Sequence, residues 1–270
     1  MLRVFEGPYN FIDTSNEYGG GESEKRIGKA LARAGGLPPG FVLATKVDPP
    51  VGSNDFSGAR IRRSVEESLE RLGVDHLELV YLHDPEKTTF EDCMQKGGAV
   101  ETMLALKEEG VIGHLGVAGG PIDLMLRFLA TGAFEAAISH NRYTLVDQSA
   151  EPLIADCVRR GVAFVNAAPF GGGMLVKGPR KQPNYCYRPA GPRTLARVQA
   201  MHDLCTENGV PFAAAALQFS LRDPRVTSTI VGITEPQRVA ETEALAAHPI
   251  AEPLWQQLQT LAYTDMSSDE

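Results

Sequence analysis

Long apolar runs are missing from this 270-residue chain, and none approaches the roughly 18 residues that a membrane-spanning helix needs. Basic residues are in deficit, 26 Lys and Arg against 34 Asp and Glu. The formal charge of −8 argues against a nucleic-acid or anionic-membrane surface, because neither polyanion is drawn to a net acidic body. Cysteine is scarce: Cys93, Cys157, Cys186 and Cys205 lie far apart and form no C-x-x-C. Scattered reduced thiols in a cytoplasmic protein are therefore expected, with no metal knuckle and no disulfide framework. The first residues, "MLRVFEGPYN", lack the apolar segment and cleavage site of a signal peptide. No Pro/Gly/Ser-rich linker divides the chain, so residues 1–270 read as a single domain.

What the chain does have is a rhythm. Short apolar or β-branched runs recur at 9–13 (YNFID), 41–47 (FVLATKV), 77–84 (LELVYLHD), 111–119 (VIGHLGVAG), 135–141 (EAAISHN), 162–170 (VAFVNAAPF) and 227–234 (TSTIVGIT). Amphipathic stretches separate them. In "SGARIRRSVEESLERLG", Ile61, Val65, Leu69 and Leu72 form a helical stripe between a Ser57 start and a Gly73 stop. Gly110 and Gly161 end two further helical patterns. Strand then helix, repeated about every thirty residues, is the rhythm of a parallel α/β sheet. Its evenness favours a (β/α) barrel, and "YGGGESE" lacks the G-x-G-x-x-G spacing of a dinucleotide-binding doubly wound sheet.

Chemistry-bearing residues stand where the runs stop. Asp13 and Tyr18 follow the first run, Lys46 closes the second, and His83 with Asp84 closes the third. In a barrel all such ends surround one mouth. Taken singly, each residue has a plainer role: Asp13 as an Asx turn, Lys46 at a rim, His83 as a satisfied structural histidine, Tyr18 packed beneath a loop. Taken together they form a set. A nearby ammonium lowers the pKa of a tyrosine from its usual value of about 10, and an aspartate keeps that ammonium charged. A histidine opposite donates a hydrogen bond to a carbonyl oxygen. Such a group can protonate that oxygen, or deprotonate an alcohol, while hydride moves at carbon.

At this point the sequence resembles a known family, the aldo-keto reductases. "FIDTSNEYGGGESEKRIGKAL" resembles its Asp-to-Tyr-Gly signature, "VLATKV" its lysine strand, and "RSVEESLERLGVDHLELVYLHDPE" its helix-to-histidine segment. The likeness runs from Asn10 to about Leu245, and "SHNRYTLVDQ" and "APFGGGML" most resemble the bacterial D-threo-aldose, L-fucose and pyridoxal dehydrogenase branch. The resemblance implies a (β/α)8 TIM-type barrel, a catalytic set of Asp13, Tyr18, Lys46 and His83, and an extended NAD or NADP. Asn141 would face the carboxamide. Phe170, Gly171 and Gly172 would cover the pyrophosphate with backbone N–H groups, and Gly232, Thr234, Gln237, Arg238 and Glu241 would surround the adenosine. The substrate would be a sugar, aldehyde or ketone.

Two departures from the family pattern matter. Ala167 stands where many relatives place a tyrosine that stacks on nicotinamide. Gly232 and Ile233 stand where NADP-preferring relatives often carry Lys and Ser, which tilts the reading toward NAD. Only twelve residues precede Asp13, fewer than a strand and helix require. "MLRVFEGP" reads as the tail of a helix stopped by Gly7-Pro8, so seven strands are expected, without the N-terminal hairpin or first βα unit. That leaves two open edges beside the site, which a homo-oligomer would cover, and weak or absent activity is the alternative reading. A metal-dependent hydrolase using His83, Asp84 and His140 is disfavoured, since no H-x-H pair or other ligand spacing supports it.

Overall fold

A computed structural model describes residues 1–262. Helix α1 (Leu2–Phe5) leads to strand β1 (Phe11–Asp13), α2 (Glu22–Ala34), β2 (Val42–Val47), α3 (Gly58–Leu72) and β3 (Leu77–His83). A short α4 (Phe90–Met94) and α5 (Ala99–Glu108) precede β4 (Ile112–Gly119) and α6 (Ile122–Ala130). Then come β5 (Ala136–His140), α7 (Glu151–Arg160), β6 (Ala163–Ala167), α8 (Met174–Lys177) and a small hairpin of β7 (Asn184–Tyr185) and β8 (Arg188–Pro189). The described chain finishes with α9 (Pro192–Glu207), α10 (Phe212–Leu221), β9 (Val226–Ile230), α11 (Gln237–Ala247) and α12 (Glu252–Gln259). Among the described residues no helix is long and apolar enough to cross a membrane.

Seven strands share one sheet in the order β1-β2-β3-β4-β5-β6-β9. Apart from the hairpin, each strand is followed by the next in sequence, which is barrel order; a doubly wound sheet reverses direction midway. The segment after Pro249 supplies α12, so no eighth strand joins this sheet among the described residues. The residues group into two compact units, Met1–Ile138 with Arg159–Ala163, and Ser139–Val158 with the chain from Phe164 onward.

In the first unit, every residue of β3 except Glu78 is buried, the mark of a strand covered on both faces. Helix α3 begins where the Ser57 hydroxyl accepts from the Arg60 amide, and it stops at left-handed Gly73. Its buried stripe differs from the expected one. Leu69 is only half-buried, and Ser64 and Ser68 join Ile61, Val65 and Leu72. The reason is local. Ser64 Oγ accepts the Asp48 amide at 3.1 Å, and the Asn16 side chain donates to the Ser64 carbonyl at 3.1 Å.

Register explains why the chemical residues gather. Asp13 pairs with Ala44, Lys46 with Tyr81, and His83 with Ala118. Paired residues share a face, and so do residues two apart on one strand. Asp13, Lys46 and His83 therefore stand on one face, each two residues further along its strand.

The second unit has its own core, in which Met174, Met201, Phe212 and Trp255 are buried together. Between α8 and α9 the chain forms the β7–β8 hairpin. Its turn residues, Cys186 and Tyr187, both have left-handed backbones (φ 50 and 68). Such turns ordinarily use Asn-Gly, so the usual hairpin signal is absent.

Candidate active site

Lys46 is the hub of the first unit's cluster. Its ammonium has three protons and meets three oxygens: Asp13 Oδ2 at 2.6 Å, the Thr14 carbonyl at 2.7 Å and Tyr18 Oη at 3.3 Å. The side chain is 3 % exposed and that of Asp13 8 %. Burial opposes the charge on Lys46, but Asp13 and Tyr18 more than offset it and hold the ammonium above the usual lysine range. The Asp13 carboxylate is thus committed to Lys46 and forms no Asx turn.

Tyr18 is 42 % exposed, with its hydroxyl end against Lys46, whose Nζ lies 4.6 Å from the ring centroid. The expected lowering of its pKa is not the net result. Burial raises the phenol, aided by Asp13 and Asp84, and outweighs the pull of Lys46. Tyr18 is therefore a phenol at neutral pH. The His83 ring meets it edge-on, with centroids 5.7 Å apart.

His83 has a partner that the sequence did not single out. Its Nδ1 lies 2.5 Å from Asp48 Oδ1, and the Ser15 hydroxyl donates to Asp48 Oδ2, also at 2.5 Å. The Glu17 amide donates to the same Oδ2 at 3.1 Å. Burial pushes the Asp48 carboxyl up, but these hydrogen bonds more than offset it and hold the group below the usual carboxylate range. The backbone of Asp48 is also tied down, through Ser64 Oγ and through Arg60 Nε, which donates to its carbonyl at 2.8 Å. In "TKVDPP" this aspartate looks like a turn residue before two prolines. Its role depends on a partner 35 positions away, and no local pattern reveals that.

The remaining sequence candidates lie in the second unit. Asn141 follows β5 with a left-handed backbone (φ 59), and its Oδ1 is buried with no hydrogen-bond partner. Ser139 Oγ, two residues earlier, is likewise buried and unpartnered. Such orphaned acceptors are costly unless a ligand completes them. The Asn141 carbonyl accepts the Tyr185 hydroxyl at 3.2 Å. Phe170 precedes a 3-10 turn at Gly171–Gly173 in which all three glycines have positive φ. Tyr185 lies so close to Gly171 that a Cβ there would stand 2.4 Å from its ring. Around Gly232 nothing lies within 4 Å of a built Cβ, and Thr234, Gln237, Arg238 and Glu241 are exposed. Gln237 and Arg238 open α11, whose N-terminus has no side-chain cap; the Arg238 and Val239 amides donate to the Glu235 and Pro236 carbonyls at 3.1 and 3.3 Å. The buried, unpartnered Ser139 and Asn141 atoms fit the amide of a nicotinamide dinucleotide.

Fold and cluster together define a class, the α/β-barrel enzymes whose chemistry sits at strand ends. The Aldo/keto reductase family model matches residues 1–262. L-galactose dehydrogenase of Arabidopsis thaliana is 30 % identical over 90 % of this chain and 76 % of its own length. D-threo-aldose 1-dehydrogenase of a Pseudomonas species is 30 % identical over 94 % and 84 %, and pyridoxal 4-dehydrogenase of Microbacterium luteolum 26 % over 93 % and 83 %. Among solved structures, the holo form of aldo-keto reductase AKR11C1 from Bacillus halodurans matches with a TM-score of 0.79 at 25 % identity, covering 99 % of this chain and 88 % of that one. The chain belongs to the aldo/keto reductase family and is an oxidoreductase.

Proposed function

We propose that the protein oxidises the hemiacetal or alcohol carbon of a sugar, and reduces the corresponding carbonyl, with Tyr18 giving or taking the proton on oxygen. The observation that carries this reading is the Lys46 ammonium held between Asp13 and the Tyr18 hydroxyl at 2.6 and 3.3 Å. A bound nicotinamide dinucleotide supplies or takes the hydride. Asn141 and Ser139 would hold its carboxamide, the 170–172 loop its pyrophosphate, and the start of α11 its adenosine end.

In reduction, Tyr18 donates its proton as negative charge develops on the carbonyl oxygen, and Lys46 stabilises the phenolate left behind. Asp13 keeps Lys46 charged and aimed. In oxidation the phenolate takes the hydroxyl proton as hydride leaves carbon. The named sugar and pyridoxal dehydrogenases among the relatives support a polar, oxygen-rich aldehyde or sugar as substrate. One family model spans both compact units, which supports reading the chain as a single barrel domain. The test is absorbance at 340 nm with a panel of aldoses, aldehydes and ketones and both nucleotides. Turnover strongest with aldoses is the expected outcome; turnover confined to apolar ketones would overturn the substrate class.

A further inference from the structure

We propose that Asp48 is a positioning residue that makes His83 donate to the substrate oxygen only in its charged, imidazolium form. The inference rests on the proposed function for the identity of that oxygen, but the protonation of the ring follows from contacts within the protein. An ionised carboxylate offers only acceptors. With Asp48 Oδ1 at 2.5 Å, His83 Nδ1 must carry a hydrogen, since a lone pair there would face a second lone pair. Ser15 does not supply that hydrogen. Its hydroxyl has one proton, which goes to Asp48 Oδ2, while its oxygen accepts the Glu17 amide at 3.1 Å and stands 3.3 Å from Nδ1.

A neutral imidazole has one N–H. With that hydrogen fixed on Nδ1, neutral His83 presents a bare Nε2 and has nothing to donate to a carbonyl. Only the imidazolium has Nε2–H, and its hydrogen bond is charge-assisted, roughly twice as strong as a neutral one. The inference thus sharpens the simple expectation that His83 is a donor. The charged groups around the ring are Asp48 at Nδ1, Asp84 Oδ1 at 3.6 Å from Nε2, Lys87 paired to Asp84 at 3.4 Å, and the Asp13–Lys46–Tyr18 set beyond the ring edge. Asp48 has no direct claim on substrate; it acts through the histidine, as the buried aspartate of a serine-protease triad fixes its own histidine's tautomer.

The wild-type protein, labelled with 15N-histidine and free of nucleotide, gives the first readout. Long-range 1H–15N spectra across pH should show His83 Nδ1 protonated throughout, with Nε2 alone changing state. A neutral ring carrying its hydrogen on Nε2 would overturn the proposal, and no variant need fold for that result. The second readout is Asp48→Asn, whose amide donates to Nδ1 and leaves a neutral ring with Nε2–H. For carbonyl reduction, kcat/KM should be at least tenfold below wild type where wild-type His83 is charged. The gap should close as pH rises past the midpoint that the spectra give. Parallel pH profiles for the two proteins would contradict the assignment, because a merely structural Asp48 lowers both limbs alike. If the wild type turns over nothing in the panel, the proposed function fails while the spectra still decide the Asp48–His83 pairing.

Discussion

Tyr18 and Lys46 set the pH behaviour, because burial moves one group and pairing fixes the other. Tyr18 is raised by burial and Lys46 by its two partners, so phenol and ammonium coexist through the neutral range. In the proposed mechanism reduction uses the phenol, whereas oxidation needs the phenolate. Oxidation kcat should therefore keep rising with pH into the alkaline range, while reduction falls as His83 loses its Nε2–H and falls again once the Tyr18 phenol ionises. Steady-state profiles in both directions check this, and an oxidation rate that levels off below neutral pH would contradict it. The four members of this set were legible in the sequence because each closes a recognisable strand or begins the loop after one. Asp48 was not, and Ser139 was legible only as a strand-end residue without a role. Their signals, a partner 35 residues away and an orphaned hydroxyl, exist only in three dimensions.

Among the elements, the α2–α3 pair supports the loop that carries Tyr18. A Cβ on Gly28 would stand 2.3 Å from the Arg71 carbonyl, so the helix axes approach at a point that only glycine allows. Arg71 in turn donates to the Asn16 carbonyl at 2.9 Å and to the buried Glu24 at 3.2 Å, tying α3 to the loop. Gly28→Ala should cost about 1–3 kcal/mol, the usual range for forcing atoms into a filled interior, despite alanine's better helix propensity. Urea denaturation measures it, and a stabilised variant would contradict the close approach. The helix around Gly28 was legible as "ESEKRIGKAL", but the reason for its glycine was not, since helix-to-helix distance leaves no mark on periodicity. The β7–β8 hairpin was missed on different grounds. Its turn is built from Cys186 and Tyr187, residues that seldom adopt left-handed backbones.

At the scale of the molecule, the seven-strand order was readable because strand and helix alternate so evenly, each strand lying beside the next. Charge also acts at this scale. The body carries a formal −8, which repels the additional phosphate of NADP, and of the residues proposed about the adenosine only Arg238 is a cation. NAD should therefore bind more tightly than NADP at low ionic strength. Added salt should narrow the difference as the Debye length shrinks to about 8 Å at physiological strength. Calorimetric Kd values at two salt concentrations check both points, and tenfold tighter NADP binding would reverse the preference.

The central claim is that Tyr18 carries the proton. The direct measurement is single-turnover kinetics of Tyr18→Phe beside wild type, with nucleotide binding measured on both. The variant should bind nucleotide normally and lose about 10² or more of the hydride-transfer rate, the contribution of a positioned acid–base group. A Tyr18→Phe protein that reduces aldoses at the wild-type rate would contradict the account.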